Sequence, residues 1–263
     1  MQLRNPAWKA LLLNELSKNI KEARDAAYVS LATIRPDGSP ANRTVAFRGF
    51  VAQDHADETG WESDLLLFTC DKRTEKMKEI RNDPRVEVSW WMSTTGEQFR
   101  IRGRMHLIEQ GNEAALKDHI YRKEDTSVSS HASAATTSFL ARLKHLSNVL
   151  GNDQFSWEAE RLRHWHKISD DLRATFTWPQ PGLPFDENGA FLKSLPIEQT
   201  EKDGWFKHGD KQKQTLLEEG YSNFILLALE VESIDHIELY SMPCKRRVYN
   251  KHDDAWAEEA LNP

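Results

Sequence analysis

Arg43, Arg48, Arg73, Lys76, Gln98 and Arg100 fall in or beside segments that read as strands rather than on exposed helices. Cations and amides in such places suit an anion held at a sheet edge. Arg73 precedes Thr74, whose hydroxyl stands where it can cap a short helix. A phosphate placed there meets a guanidinium, a hydroxyl, free backbone N–H groups and Lys76 together. The same residues also read as a solvated cationic face on a half-exposed strand and helix, and their chemistry alone leaves both readings open. Arg43 and Arg48 are five positions apart, which puts them on opposite sides of an unbulged strand. One ligand then reaches both only through a bulge or a second subunit.

Other chemistries lack support in the chain. It contains no Gly-x-Gly-x-x-Gly, no P-loop, no Gly-x-Ser-x-Gly and no His-Glu-x-x-His, which removes the motifs for Rossmann cofactors, nucleoside triphosphates, hydrolase triads and zincins. His164 and His166 are the one close histidine pair; on a helix they diverge, and no third ligand has suitable spacing, so no metal is expected. Cys70 and Cys244 form no Cys-x-x-Cys, which implies neither a disulfide framework nor structural zinc and makes a reducing, cytoplasmic setting the expectation. With 35 basic and 41 acidic residues the net charge is −6, which opposes bulk attraction to nucleic acid or an anionic membrane. Arg100, Arg102 and Arg104 share one strand without an aromatic stacking ladder, which also argues against nucleic acid. The apolar runs at 10–13 and 224–229 fall far short of the roughly 20 residues of a membrane-spanning helix. Residues 1–6 begin no secretory signal.

The elements that must position these residues follow from periodicity. Pro6 starts a helix carrying Trp8, Leu11, Leu12, Leu16 and Ile20 at helical spacing. Segments 28–34 and 43–51 read as a hairpin about Pro36-Asp37-Gly38. Segment 65–69 is almost wholly apolar, as in a strand buried on both faces. A short helix with Met77 and Ile80 on one side stops at Asn82-Asp83-Pro84. Then Val86, Val88 and Trp90 alternate with polar neighbours, and Phe99, Ile101, Gly103, Met105 and Leu107 alternate with Gln98, Arg100, Arg102, Arg104 and His106.

From about 112 the pattern is helical, with Phe139, Leu143, Leu146 and Leu150 after Ser138, and a second helix is expected over 157–176. Trp157, Leu162, Trp165 and Phe176 in it suit either a roof over a ligand or plain core. Residues 186–219 read as a long polar surface loop, 221–231 and 234–240 as strands, 245–249 as a basic segment, and the last residues as a fraying acidic tail. The order gives an α+β fold, an antiparallel barrel with peripheral helices in a single domain over 1–263. Its barrel core spans about 5–109 and 221–250, with a helical insertion at about 112–182 and the loop at 186–219, and no second core is required.

Taken in order, several segments resemble one family. Arg43-Thr44-Val45-Ala46-Phe47-Arg48, Leu67-Phe68-Thr69, Asp71-Lys72-Arg73-Thr74-Glu75-Lys76 with Asn82-Asp83-Pro84, and Gln98-x-Arg100-Ile-Arg-Gly103 look like the FMN-binding split barrel of the pyridoxamine 5′-phosphate oxidase family. Order and intervals match over 5–109, and 221–249 resembles that family's closing, Greek-key-like strands. Arg161-x-x-x-Trp165, Arg173, Phe176 and Pro179-x-Pro181-Gly182 are similar to its oxidase-like branch.

The resemblance implies a homodimer with FMN between two barrels and a small-molecule substrate. It assigns cofactor contacts to Arg43, Val45, Phe68, Thr69, Arg73, Thr74, Lys76, Gln98 and Arg100, with Arg73, Thr74 and Lys76 on the phosphate and Gln98 on the polar edge of the ring. Substrate-side candidates are Arg48, which replaces the family's usual Lys, together with Tyr240, Arg246 and Arg247. The family's phosphate-gripping Ser-Arg-Pro segment is absent, and this chain has Tyr121-Arg122-Lys123-Glu124-Asp125 and a Ser-rich stretch instead. An FMN-dependent oxidoreductase with a different small substrate, a flavin-binding or sensing protein without turnover, and a true pyridox(am)ine 5′-phosphate oxidase with a rebuilt site all follow as readings.

Overall fold

The computed structural model describes residues 6–55, 61–109, 120–122, 155–252 and 255–263. The sequence-predicted helix ending at Leu150 and residues 123–125 lie outside them. Pro6, in extended conformation, opens α1 (Ala7–Glu22), which buries Trp8 and Leu12 against the end of a barrel. Six antiparallel strands make that barrel: β1 (Tyr28–Ile34), β2 (Pro40–Phe50), β3 (Leu66–Asp71), β4 (Arg85–Met92), β5 (Glu97–Ile108) and β6 (Phe224–Glu238). Around the barrel the order is β6, β3, β2, β1, β4, β5, and β5 pairs back onto β6 to close it. Gly103 of β5 lies so close to the Glu230 carbonyl of β6 that a Cβ would collide with it.

Alternation along the strands builds two apolar clusters on opposite faces. Leu66 and Phe68 of β3 point inward to join Ile225, Leu227 and Leu229 of β6. Leu65 and Leu67, with Phe224, Leu226 and Ala228, point outward into a second cluster. Segment 65–69 is buried on both faces, as its composition predicts. Three helices cover the outer cluster: α3 (Trp157–Lys167), α4 (Asp170–Thr175) and α5 (Lys211–Asn223).

Several expectations are corrected here. The 157–176 helix breaks at Ile168 and Ser169, where the backbone is extended at both residues. Segment 186–219 is not one polar loop. It holds a small hairpin of Gln199–Thr200 with Phe206–Lys207 and the start of α5, which Asp210 caps by accepting the Lys213 N–H at 3.0 Å. Leu195, Phe206 and Leu217, scattered among charges, are fully buried in the outer cluster, so tertiary contact orders a stretch whose composition is polar. Tyr221 is helical, and β6 continues unbroken to Glu238 with a register shift between Val231 and Ser233. The acidic tail forms β8 (Ala255–Leu261), paired to β7 (Lys245–His252), and Trp256 packs edge-on against Trp8 at 5.4 Å.

Candidate functional site

Pairing between β2 and β3 is confined to Phe47 with Phe68 and Phe50 with Leu66. Beyond Phe68 the two strands part, leaving 44–46 facing 69–71 across a gap. A cleft of about 490 Å³ occupies the gap, and the start of α2 (Glu75–Asn82) closes one end of it. The opposite wall comes from the middle of the chain, with Phe176, Trp178, Pro179, Pro181 and Phe191. A ligand in this cleft meets strand backbone that the sheet does not pair on that side.

Two cations line the cleft without a carboxylate partner among the described residues. Arg48 is half-buried; its Nε donates to Thr69 Oγ1 at 3.2 Å, and burial pushes its pKa below the usual arginine value. Lys76 Nζ donates to Thr74 Oγ1 at 3.1 Å and lies 3.4 Å from Cys70 Sγ. Thr74 stands at the N-cap position of α2, yet its hydroxyl donates to the Asp71 carbonyl at 2.8 Å instead of capping the helix. The amino-terminal turn of α2 therefore points its positive end at the cleft beside Lys76. An anion of phosphate size suits this end.

The other sequence-predicted site residues divide sharply. Val45 and Thr69 line the cleft, whereas Phe68 is fully buried inside the barrel, so only its backbone borders the gap. Arg43 is turned to the opposite side of β2, as its five-residue offset from Arg48 predicts; it pairs with buried Glu79 at 2.5 Å and also donates to Thr33. Arg73 does not line the cleft. Its guanidinium grips Asp71 and donates to the Trp178 carbonyl at 2.8 Å and the Phe176 carbonyl at 3.1 Å, which replaces the expected phosphate contact with a tether for the second wall.

Gln98 and Arg100 lie on the outer face of β5, with β6 between them and β3. Arg100 and Arg246 both pair with Asp235, whose carboxyl they hold below its usual range against the opposing effect of burial. Arg247 is 3.8 Å from Glu258, and Tyr240 is largely exposed against Trp91. None of these five lines the cleft of its own chain. Tyr121 and Arg122 belong to a short strand paired with Trp61–Ser63.

Sequence reasoning missed Thr44 and Ala46, although period-2 alternation from Arg48 puts them on its face. It also missed Trp178 and Phe191 as a wall, since no local pattern brings 172–191 to β2. Of the four residues expected either to roof a ligand or to be plain core, Phe176 lines the cleft as well as joining the outer cluster, whereas Trp157, Leu162 and Trp165 are buried in that cluster alone. Among the described residues no group of three His, Cys, Asp or Glu side chains is placed to hold a metal ion, and no helix is long and apolar enough to cross a membrane.

Residues 5–109 match the family model of the pyridoxamine 5′-phosphate oxidase FMN-binding domain. Over these residues the chain is similar to that FMN-binding domain. The cofactor of that domain is FMN. A pyridoxine/pyridoxamine 5′-phosphate oxidase 2 from Arabidopsis thaliana is 39% identical over 105 residues, which are 40% of this chain and 48% of that protein, so the likeness spans about half of the relative. A pyridoxamine 5′-phosphate oxidase-related FMN-binding protein from Nostoc punctiforme superposes over 99% of this chain and 100% of its own, with a TM-score of 0.62 and 26% identity. PhzG from Burkholderia lata, at 14% identity and a TM-score of 0.56 over 98% of this chain and 94% of its own, shares the fold.

The residues present fit the cofactor. The matched domain contributes the parted strands, the two cations without a carboxylate partner among the described residues and the α2 terminus, a combination that matches a planar molecule with an anionic end.

Proposed function

We propose that this chain is an FMN-dependent oxidoreductase acting on a small molecule as a homodimer. One observation carries the reading: Arg48 and Lys76 face a cleft without carboxylate partners among the described residues, inside the residues that match an FMN-binding domain. FMN, when bound, supplies a two-electron acceptor and donor. Lys76, Thr74 and the first turn of α2 would hold its phosphate, while Thr69 and the open edges of β2 and β3 would receive the ring. Arg48, which lines the same cleft, would add positive charge that favours the more anionic reduced cofactor. Phe176, Trp178 and Phe191 exclude water from the opposite side.

The homodimer is supported by an exposed apolar cluster beside Gln98. Trp91 pairs across the ladder with Gln98, and Trp91, Leu239, Tyr240 and Met242 are all exposed. A second copy covering that surface would bring Gln98, Arg100 and Tyr240 toward a flavin from which they are remote in their own chain.

The experiment is to purify the protein, identify any released flavin by mass, and test reduction under anaerobic conditions against a panel of small donors. A yellow protein whose FMN is bleached by one donor is expected. A flavin-free preparation that fails to take up added FMN overturns the reading, and FMN that no donor reduces leaves a binding protein without turnover. Pyridoxamine 5′-phosphate belongs in the panel because the Arabidopsis relative, named as an oxidase of that compound, is 39% identical over 105 residues. Peroxide release with it in air would make it the substrate.

A further inference from the structure

The start of α2 closes one end of the cleft proposed for FMN, yet no strand pairing ties this helix to β2 on the other side of the gap. It follows β3 directly, and the ladder between β2 and β3 stops at Phe47 and Phe68. Met77 and Ile80 seat α2 on the barrel cluster. Apolar contact is non-directional, so it sets the depth of the helix better than its roll about its own axis.

A single carboxylate on the buried side of α2 supplies a directional link. Glu79 is 2% exposed, and its Oε2 accepts the Arg43 guanidinium of β2 at 2.5 Å and the Thr33 hydroxyl of β1, also at 2.5 Å. Arg43 is held in turn by donating to the Leu31 carbonyl at 3.3 Å, and Arg35 Nε stands 4.0 Å from Glu79 Oε1. All these groups belong to the hairpin of β1 and β2. Burying a carboxylate costs free energy that only a well-placed partner offsets, so orientations of α2 that separate Glu79 from Arg43 are disfavoured. Lys76 precedes Glu79 by about one helical turn, and Thr74 stands at the N-cap. The roll of α2 that keeps Glu79 on Arg43 is therefore the roll that keeps Lys76 and Thr74 in the cleft lining.

We infer that Glu79 and Arg43 are a positioning pair for the cofactor phosphate, with Arg43 acting through Glu79 on the start of α2 rather than touching the ligand. The inference rests on the flavin reading. It adds Glu79, which no motif singles out, and it turns Arg43 from the contact residue its motif implies into a support behind the site.

FMN and riboflavin, which differ only in the phosphate, test this by titration of the full chain followed by flavin fluorescence. Arg43→Met and Glu79→Met should each weaken FMN by about tenfold or more and leave riboflavin affinity within about twofold, because only the phosphate end is displaced. Arg43→Met combined with Glu79→Met leaves no buried charge unpaired and should bind FMN no more weakly than either single variant, since a pair acting as a unit is lost only once. Arg43→Lys, which keeps a cation opposite Glu79, should recover most of the FMN affinity that Arg43→Met loses. Circular dichroism reports folding; should a single variant not fold, the double variant and Arg43→Lys still decide. If Glu79→Met binds FMN as well as the unaltered chain while Arg43→Met does not, Arg43 meets the phosphate itself and the inference is overturned. A parallel loss of both flavins, the mark of a merely structural pair, overturns it too. Failure of the unaltered chain to bind either flavin would overturn the flavin reading itself, and the inference with it.

Discussion

The two apolar cores are made from opposite faces of the same strands, yet they are stabilised differently. Inside the barrel no guanidinium is buried with the cluster around Phe68, Trp90 and Leu227, and the buried ionisable groups beside it are Glu15, Glu79 and His236, the last stacked on Phe99. Outside, the cluster around Trp165 and Phe224 is surrounded by buried Glu160, Arg161, Arg163, His164 and Arg173. The difference lies in how backbone groups are satisfied. A closed barrel pairs its carbonyls strand to strand, so its interior asks for no side-chain donors.

The outer core is covered by helix ends and irregular turns whose carbonyls point inward. Arg173 donates to the carbonyls of Ile168 and Leu195, each at 2.8 Å, and Arg161 to that of Phe224 at 2.9 Å. Buried guanidinium groups here replace a missing ladder. The consequence reaches the site, because the outer core carries Phe176 and, through Arg73, the second wall of the cleft proposed for FMN.

Four expected outcomes would break or sharpen that comparison. Trp165→Ala and Trp90→Ala should each lower stability by about 3–5 kcal/mol in urea unfolding, as large buried aromatics do. Only Trp165→Ala should also weaken FMN uptake by the folded fraction, since Trp165 packs on Phe176 at 5.8 Å. Equal FMN effects from both would mean that the cores are not functionally distinct.

The second concerns pH. Burial pushes the His166 pKa from 6.5 down to about 4, so the unfolded chain binds a proton that the folded chain refuses. Its contribution is complete above pH 6.5 and is lost as pH falls toward 4. Urea midpoints at pH 7.5 and 4.5 should reveal a loss of about 2–3 kcal/mol, which His166→Gln removes. A slope unchanged in that variant would place the acid sensitivity elsewhere.

Third, Lys76→Ala should weaken FMN about 10- to 100-fold with little change in stability, the size of a lost contact to a phosphate. Arg73→Ala should reverse the emphasis, because its hydrogen bonds hold Phe176 and Trp178. If Arg73→Ala left stability intact and removed FMN binding, its role as a tether would be wrong. The smallest effect is expected on the outer face of β5 around Arg100, which is partly exposed. Arg100→Gln should cost about 1 kcal/mol or less and become neutral in 1 M salt, as a partly exposed ion pair does. A larger loss would show that this face is buried, and analytical ultracentrifugation would then identify a second copy covering it.

Much of the barrel was legible because period-2 alternation in 28–34, 86–92 and 98–107 states which face is core. That Thr74 and Lys76 stand together at one end of the cleft was legible for a similar local reason: they straddle the start of a helix. Arg73 was misread because Asp71, two residues away in sequence, competes for it only when the Phe176 and Trp178 carbonyls arrive from the far side of the chain. Segment 186–219 was misread because three buried apolar side chains, Leu195, Phe206 and Leu217, among many charges leave no periodic signal.

By itself, the sequence determined the strands, the opposite orientations of Arg43 and Arg48, and a local concentration of cations within a chain of net charge −6. These follow from backbone geometry and neighbouring residues. Tertiary structure alone decided which cations remain without a carboxylate, where β2 and β3 part, and that residues more than a hundred positions away close the cleft. Ion pairing and burial depend on distances through space, which no short stretch of sequence contains.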